Sequence, residues 1–151
     1  MALILSYVES LIPFYFGVPG VKLGLTNAIV VLMLYLVGTK EAFAVSTLRI
    51  VLAGFLFGNM FSILYSLAGG LLSFLIMYLI KKTKLLGIVP VSVCGGIFHN
   101  VGQLVLAAFV VENYNIFYYM PLLLIAGAAT GLLIGVAAKE IAARIGTRFC
   151  K

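Results

Sequence analysis

The chain has 151 residues, 64% of them hydrophobic and only 9% charged, with a formal net charge of +6. Soluble domains carry about 25% charged residues, so composition excludes an ordinary water-soluble fold and points to an integral membrane protein. The positive charge then reads as membrane topology rather than nucleic-acid binding.

A helix crossing a bilayer uses roughly 20 apolar residues at about 1.5 Å each, and backbone groups in lipid must bond internally. The long apolar runs lack strand-like alternation, so the predicted fold is an all-α membrane protein: one domain, 1–151, with six transmembrane helices. Their predicted bounds are 2–16, 23–38, 42–58, 61–80, 86–109 and 120–138. The first span, ALILSYVES onward, has no basic leader and no small-residue cleavage site, so it does not read as a signal peptide. Its Ala2, Ser6 and Ser10 stand four apart, a ridge that packs internally or faces a partner protein. GVPG breaks the chain at 17–20, and PGVKLGLTN places Lys22 at the surface and Asn27 one turn into the second span. GTKE at 38–41 starts the third span, which carries Arg49 well away from either end. An intramembrane charge costs at least about 2.5 kcal/mol on insertion scales and commonly marks a functional path. Snorkelling, or pairing with Glu9 or Glu41, is the structural alternative. GNM at 58–60, with Asn59, is the weakest of the predicted breaks.

KKTK at 81–84 separates the fourth and fifth spans. In the fifth, GGIFHNVGQ sets Ser92, Gly95, Gly96, His99, Asn100, Gln103 and Ala107 on one helical face, with Ile97, Phe98, Val101, Leu104 and Val105 on the other. Polar groups left bare in hydrocarbon cost several kcal/mol, so His99, Asn100 and Gln103 need partners, either neighbouring helices or a ligand. ENYN at 112–115 leads into YNIFYY, an aromatic belt at headgroup depth. The sixth span contains GAATGLLIG, whose Gly127, Gly131 and Gly135 form a close-packing ridge. Lys40, Lys81, Lys82, Lys84, Lys139, Arg144, Arg148 and Lys151 then share one side, which the positive-inside rule assigns to the cytoplasm with both termini. Lys22, Asn27, Asn59, Asn100 and Gln103 fall in the outer half, with His99 and Arg49 deeper. Together they form a candidate pocket for a small molecule with a carboxylate or phosphate.

Absences narrow the chemistry. The chain has no aspartate, so it cannot build the Asp-rich magnesium motifs of a prenyl-diphosphate synthase. It has no phosphate-binding GxxxxGK[ST] loop and no GxSxG elbow. Cys94 and Cys150 lie too far apart in depth to pair, and no metal-ligand spacing is present. A non-enzymatic protein without metal or cofactor is expected.

PGVKLGLTN, then LRIVLAG, SLAGGLLS and the GGIFHNVGQ helix, taken in order over nearly the whole chain, resemble the Gx transporter family. That family is often labelled heptaprenyl diphosphate synthase component I. It is similar to the substrate-capture (S) components of energy-coupling factor (ECF) vitamin transporters. The resemblance implies six helices in the cell membrane, termini inside, and a substrate site beneath the loop between the first two helices. It also implies partners: a transmembrane coupling subunit and two ATPases that supply the work. Ala2, Ser6 and Ser10 occupy the place of the small-residue motif that docks on the coupling subunit, with two serines where alanine is usual. Pro19, Gly20, Lys22, Gly24 and Asn27 match the first-loop motif, and His99, Asn100 and Gln103 the fifth-helix motif. The second reading is a non-catalytic membrane accessory of heptaprenyl diphosphate or quinone synthesis. A channel has less support, since no ring of charges or filter-like sequence is visible.

Overall fold

A computed structural model describes residues 4, 7, 25–58, 60–112 and 114–149, with backbone alone at 25, 26, 57 and 146–149. Of the expected first helix only Ile4 and Tyr7 are described; Ala2, Ser6 and Ser10 lie outside the described residues, as do Pro19, Gly20, Lys22, Gly24 and Asn59. The described chain forms α1 (Leu25–Leu36), α2 (Thr39–Phe57), α3 (Met60–Thr83), α4 (Ile88–Val111), a 3-10 turn (Tyr114–Tyr119) and α5 (Met120–Phe149). No strand occurs among the described residues.

Local chemistry fixes the ends. At α2 the Glu41 carboxylate folds back over Gly38, the N-cap residue, where the helix dipole favours negative charge. The same helix closes at Gly58, whose N–H donates to the Gly54 carbonyl at 3.1 Å. α3 carries Lys81 and Lys82 in its last turn, where cations oppose the dipole. Lys84 then adopts a left-handed conformation (φ 56°) that turns the chain toward α4. Glu112 does the same at the far end of α4 (φ 50°). The predicted break at 58–60 thus coincides with the observed junction between α2 and α3.

α3, α4 and the stretch Tyr114–Ile145 are long and apolar enough to cross a membrane. α2 falls short because Lys40, Glu41 and Arg49 interrupt its apolar run, and α1 has 12 described residues. The sixth predicted span ends at 138, but its helix continues to Phe149. The reason is local: KEIAAR holds good helix formers, with Glu140 four residues ahead of Arg144, a favourable helical spacing.

The helices pack as antiparallel neighbours. α2 meets α3 where Ile50 lies against Gly70 and Ile63 against Gly54. α3 meets α4 where Gly69 faces His99 and Gly102 faces Ala68. α4 meets α5 along Gly96–Gly127, Ser92–Gly131 and Val89–Gly135. α1 packs against both α2 and α5 and so links the two outer helices. Val30, Val31 and Leu34 of α1 join Ala42, Phe74, Met77, Val91 and Ala138 in the main buried cluster. Phe43 meets Phe74 edge-on at 5.3 Å, a favoured aromatic geometry. At the same end Lys81 reaches across from α3, donates to the Leu34 carbonyl and lies 5.2 Å from the centre of the Tyr35 ring.

Candidate functional site

α4 is the helix on which the site turns, because it is packed on two sides. Ser92, Gly96 and Asn100 stand at i, i+4 and i+8 and meet α5; Gly95, His99 and Gln103 have the same spacing and meet α3. The predicted single polar face is therefore divided between two seams. Leu104, on the face opposite the polar residues, is buried as well. With α3 and α5 both in contact, little more than one flank of α4 is left for lipid.

On the α5 side the contacts are backbone to backbone. A Cβ built at Gly127 would lie 2.7 Å from the Gly96 carbonyl oxygen, and one at Gly131 would lie 2.7 Å from that of Ser92. Only glycine permits this approach. Asn100 Nδ2 donates to the Leu123 carbonyl at 2.8 Å, so its amide joins the two helices. On the α3 side Ser73 Oγ donates to the Gly95 carbonyl at 2.8 Å. Gly69 leaves the space that Gln103 and His99 fill: a Cβ there would lie 2.7 Å from Gln103 Cγ and from the His99 carbonyl oxygen.

Arg49 belongs to the same level of the bundle. Its neighbour Ile50 lies against Gly70, and Gly69 lies against His99, so Arg49, the Gly69–Gly70 pair and His99 share one depth. Both His99 and Asn100 stand at the middle of α4. Arg49 is 9% exposed and Gln103 3%. Ser46, one turn before Arg49, is buried as well. Glu41 is eight residues from Arg49 along α2, about 12 Å of helix. Asn27 is half-buried on α1, within the segment that runs down to the Lys81 clamp at Leu34. His99 and Gln103 are thus brought together against Gly69, one turn apart on α4, while Arg49 shares their approximate depth on α2, across α3. Asn100 is turned to the opposite seam, and Lys22 and Asn59 lie outside the described residues. Among the described residues no group of His, Cys, Asp or Glu could hold a metal ion.

Sequence reasoning did not single out Gly69, Gly70, Ser73 or Ser46 as part of this region. For Gly69, Gly70 and Ser73 the signal was present in SLAGGLLS, where a double glycine inside an apolar run marks a close approach. Chemically, α4 offers an imidazole and a carboxamide here and α2 a guanidinium at similar depth, donor groups of the kind that suit an anionic or carbonyl-bearing molecule.

No curated protein and no solved structure matches the chain. One family model does, over residues 1–141, and it is described as heptaprenyl diphosphate synthase component I. With its all-helical, apolar, membrane-crossing character, the chain belongs to the heptaprenyl diphosphate synthase component I family.

Proposed function

We propose that this protein is the substrate-binding membrane subunit of an ATP-driven, ECF-type importer. Its cargo would be a small vitamin-like, quinone-precursor or isoprenoid-related molecule with an anionic or carbonyl end. The observation that supports this reading is the buried guanidinium of Arg49 at the middle of α2, near the depth at which His99 and Gln103 of α4 pack on Gly69. A membrane protein with purely structural needs has little reason to keep a guanidinium at mid-helix. In this reading six helices span the cell membrane and both termini are cytoplasmic. The loop carrying Lys22 closes over cargo that enters from outside, with Asn27 and Asn59 at the rim. Gln103 and Asn100 orient polar groups, Lys22 and Arg49 offset negative charge, and His99 bonds the ligand or holds the network. The chain performs no chemistry itself. A coupling subunit, docked along Ala2, Ser6 and Ser10, and two ATPases supply the work.

The test is mass spectrometry of protein purified gently from its native membrane, read for small molecules and for bound proteins. A stoichiometric small metabolite together with a coupling subunit and ATPases supports the importer. Lys22→Ala should then weaken binding of that metabolite without loss of helicity, and Ser6→Leu should weaken subunit assembly without changing ligand affinity. Unchanged behaviour in both variants would reject the assigned pocket and interface.

The family's description favours a second reading, a non-catalytic membrane component that works with a heptaprenyl diphosphate synthase partner. Recovery of a soluble synthase and a long prenyl chain, with no ATPase, would establish it.

A further inference from the structure

We propose that the end of the bundle formed by the α3–α4 turn is a binding surface for the headgroups of anionic phospholipids. Lys82, Lys84 and Lys139 supply its cationic contacts, and Leu85 sits among the acyl chains. The proposal needs only that the helices cross a bilayer; it holds for either function above.

Charge is sorted along the bundle. Lys40, Lys81, Lys82, Lys84, Lys139 and Arg144 stand at this end, with Glu41 and Glu140 as the acidic groups. Glu41 is folded over Gly38, and Glu140 lies at ion-pair spacing from Arg144. Lys81 is engaged by the Leu34 carbonyl and the Tyr35 ring. Lys82, Lys84 and Lys139 remain exposed around the turn. At the opposite end the described residues hold Glu112 and no lysine or arginine.

The packing register brings the three lysines together. Gly135 of α5 lies against Val89 at the start of α4. Lys139, one helical turn further on the same face, therefore stands beside the turn that joins α3 to α4. There Lys84 is left-handed, which sends Leu85 outward at 84% exposure with Leu86 also exposed. A Cβ built on Gly87 meets no atom within 4 Å, so there is room beside the turn.

Depth selects the occupant. α3 and α4 have 24 residues each, about 36 Å of helix. The hydrocarbon core is about 30 Å thick, so the turn emerges by roughly 3 Å and lies in the headgroup layer. A water-exposed leucine would be unfavourable in free solution, but here its side chain reaches the acyl boundary while the lysine ammoniums meet phosphate. α5 runs on past Lys139 to Phe149, but the turn itself has four residues that barely clear the lipid, and its exposed Leu85 and Leu86 suit acyl chains better than a soluble partner. Anionic phospholipid fits charge, depth and the apolar residue together.

The protein is placed in nanodiscs of equal phosphatidylglycerol and phosphatidylcholine, released, and read by native mass spectrometry for retained lipid. The parent should retain phosphatidylglycerol preferentially. A Lys84→Gln, Lys139→Gln variant should lose about five-fold of that preference for each lysine neutralised, while Lys84→Arg, Lys139→Arg retains it. Circular dichroism checks that all variants keep the parent's helicity. Equal retention of both lipids by the parent would overturn the proposal. So would a preference that survives in the glutamine variant. An acidic soluble protein that copurifies with the parent and is lost from the glutamine variant would overturn it in favour of protein docking.

Discussion

Replacing Gly131 by alanine probes the tightest kind of contact in the bundle. A Cβ there would lie 2.7 Å from the Ser92 carbonyl oxygen and 2.8 Å from Val93 Cα, both backbone atoms of α4. No side chain can swing aside, so α4 and α5 must part by about 0.7 Å to recover an ordinary 3.4 Å contact. A gap of 0.5–1 Å forfeits about a quarter to a half of each dispersion contact along the seam. It also stretches the Asn100–Leu123 hydrogen bond, now 2.8 Å, toward the limit of useful geometry. Overpacking of this kind costs about 1–3 kcal/mol, and the better helix propensity of alanine returns about 1 kcal/mol. Because the clash is with backbone, the upper part of that range applies, leaving a net loss of about 1–2 kcal/mol. Equilibrium unfolding in mixed micelles, followed by helical circular dichroism, measures it. Gly87→Ser is the companion, since nothing crowds that N-cap position; serine there should add a few tenths of a kcal/mol. A Gly131→Ala protein as stable as the parent would refute backbone contact between α4 and α5.

Two further changes test the remaining seams. Ser73→Ala removes the hydroxyl that donates to the Gly95 carbonyl and should cost about 0.6 kcal/mol, the average for an interhelical bond in a membrane, in the same unfolding assay. Lys81→Met removes the clamp on the Leu34 carbonyl and should cost about 1–2 kcal/mol. It should also speed amide exchange in the last turn of α1 while leaving α4 unchanged; protection of α1 equal to the parent's would remove the clamp from the account.

How far this organisation was legible in the sequence depended on what each signal encodes. Junctions were readable because they rest on local chemistry: GTKE, KKTK and ENYN each bound a described helix, and Gly58 ends α2 where GNM breaks the apolar run. The reach of α5 was not readable from hydropathy, since a helix outlasts its apolar stretch when residues such as those of KEIAAR still favour it. The glycine ridge of α5 was read as a packing face, and its three members do contact α4. The sequence could not say that α4 is flanked on both sides. Helical periodicity returns an arc of small and polar residues, and one wide arc against one neighbour looks the same as two narrower arcs against two. Leu104, on the apolar face, is buried for that reason. Arg49 stood out because charge inside an apolar run is rare, but its partners in depth came from register, which depends on contacts between helices far apart in sequence.

The two seams of α4 also decide which substitutions speak to binding. Asn100 has its amide committed to the Leu123 carbonyl and lies against Gly127, so Asn100→Ala removes a bond between α4 and α5 whatever else the residue does. Weaker ligand binding in that variant, by itself, would not separate a lost ligand contact from a loosened seam. Gln103 is different. Its aliphatic stem fills the space left by Gly69, on the side of α4 that shares its level with Arg49. Gln103→Met keeps that stem and volume and deletes only the carboxamide. A ligand read by its polar end should then bind less tightly to a protein of unchanged stability, whereas a carboxamide that serves packing alone would leave affinity untouched. The pair of variants, measured for both stability and affinity, therefore distinguishes a polar seam from a polar site.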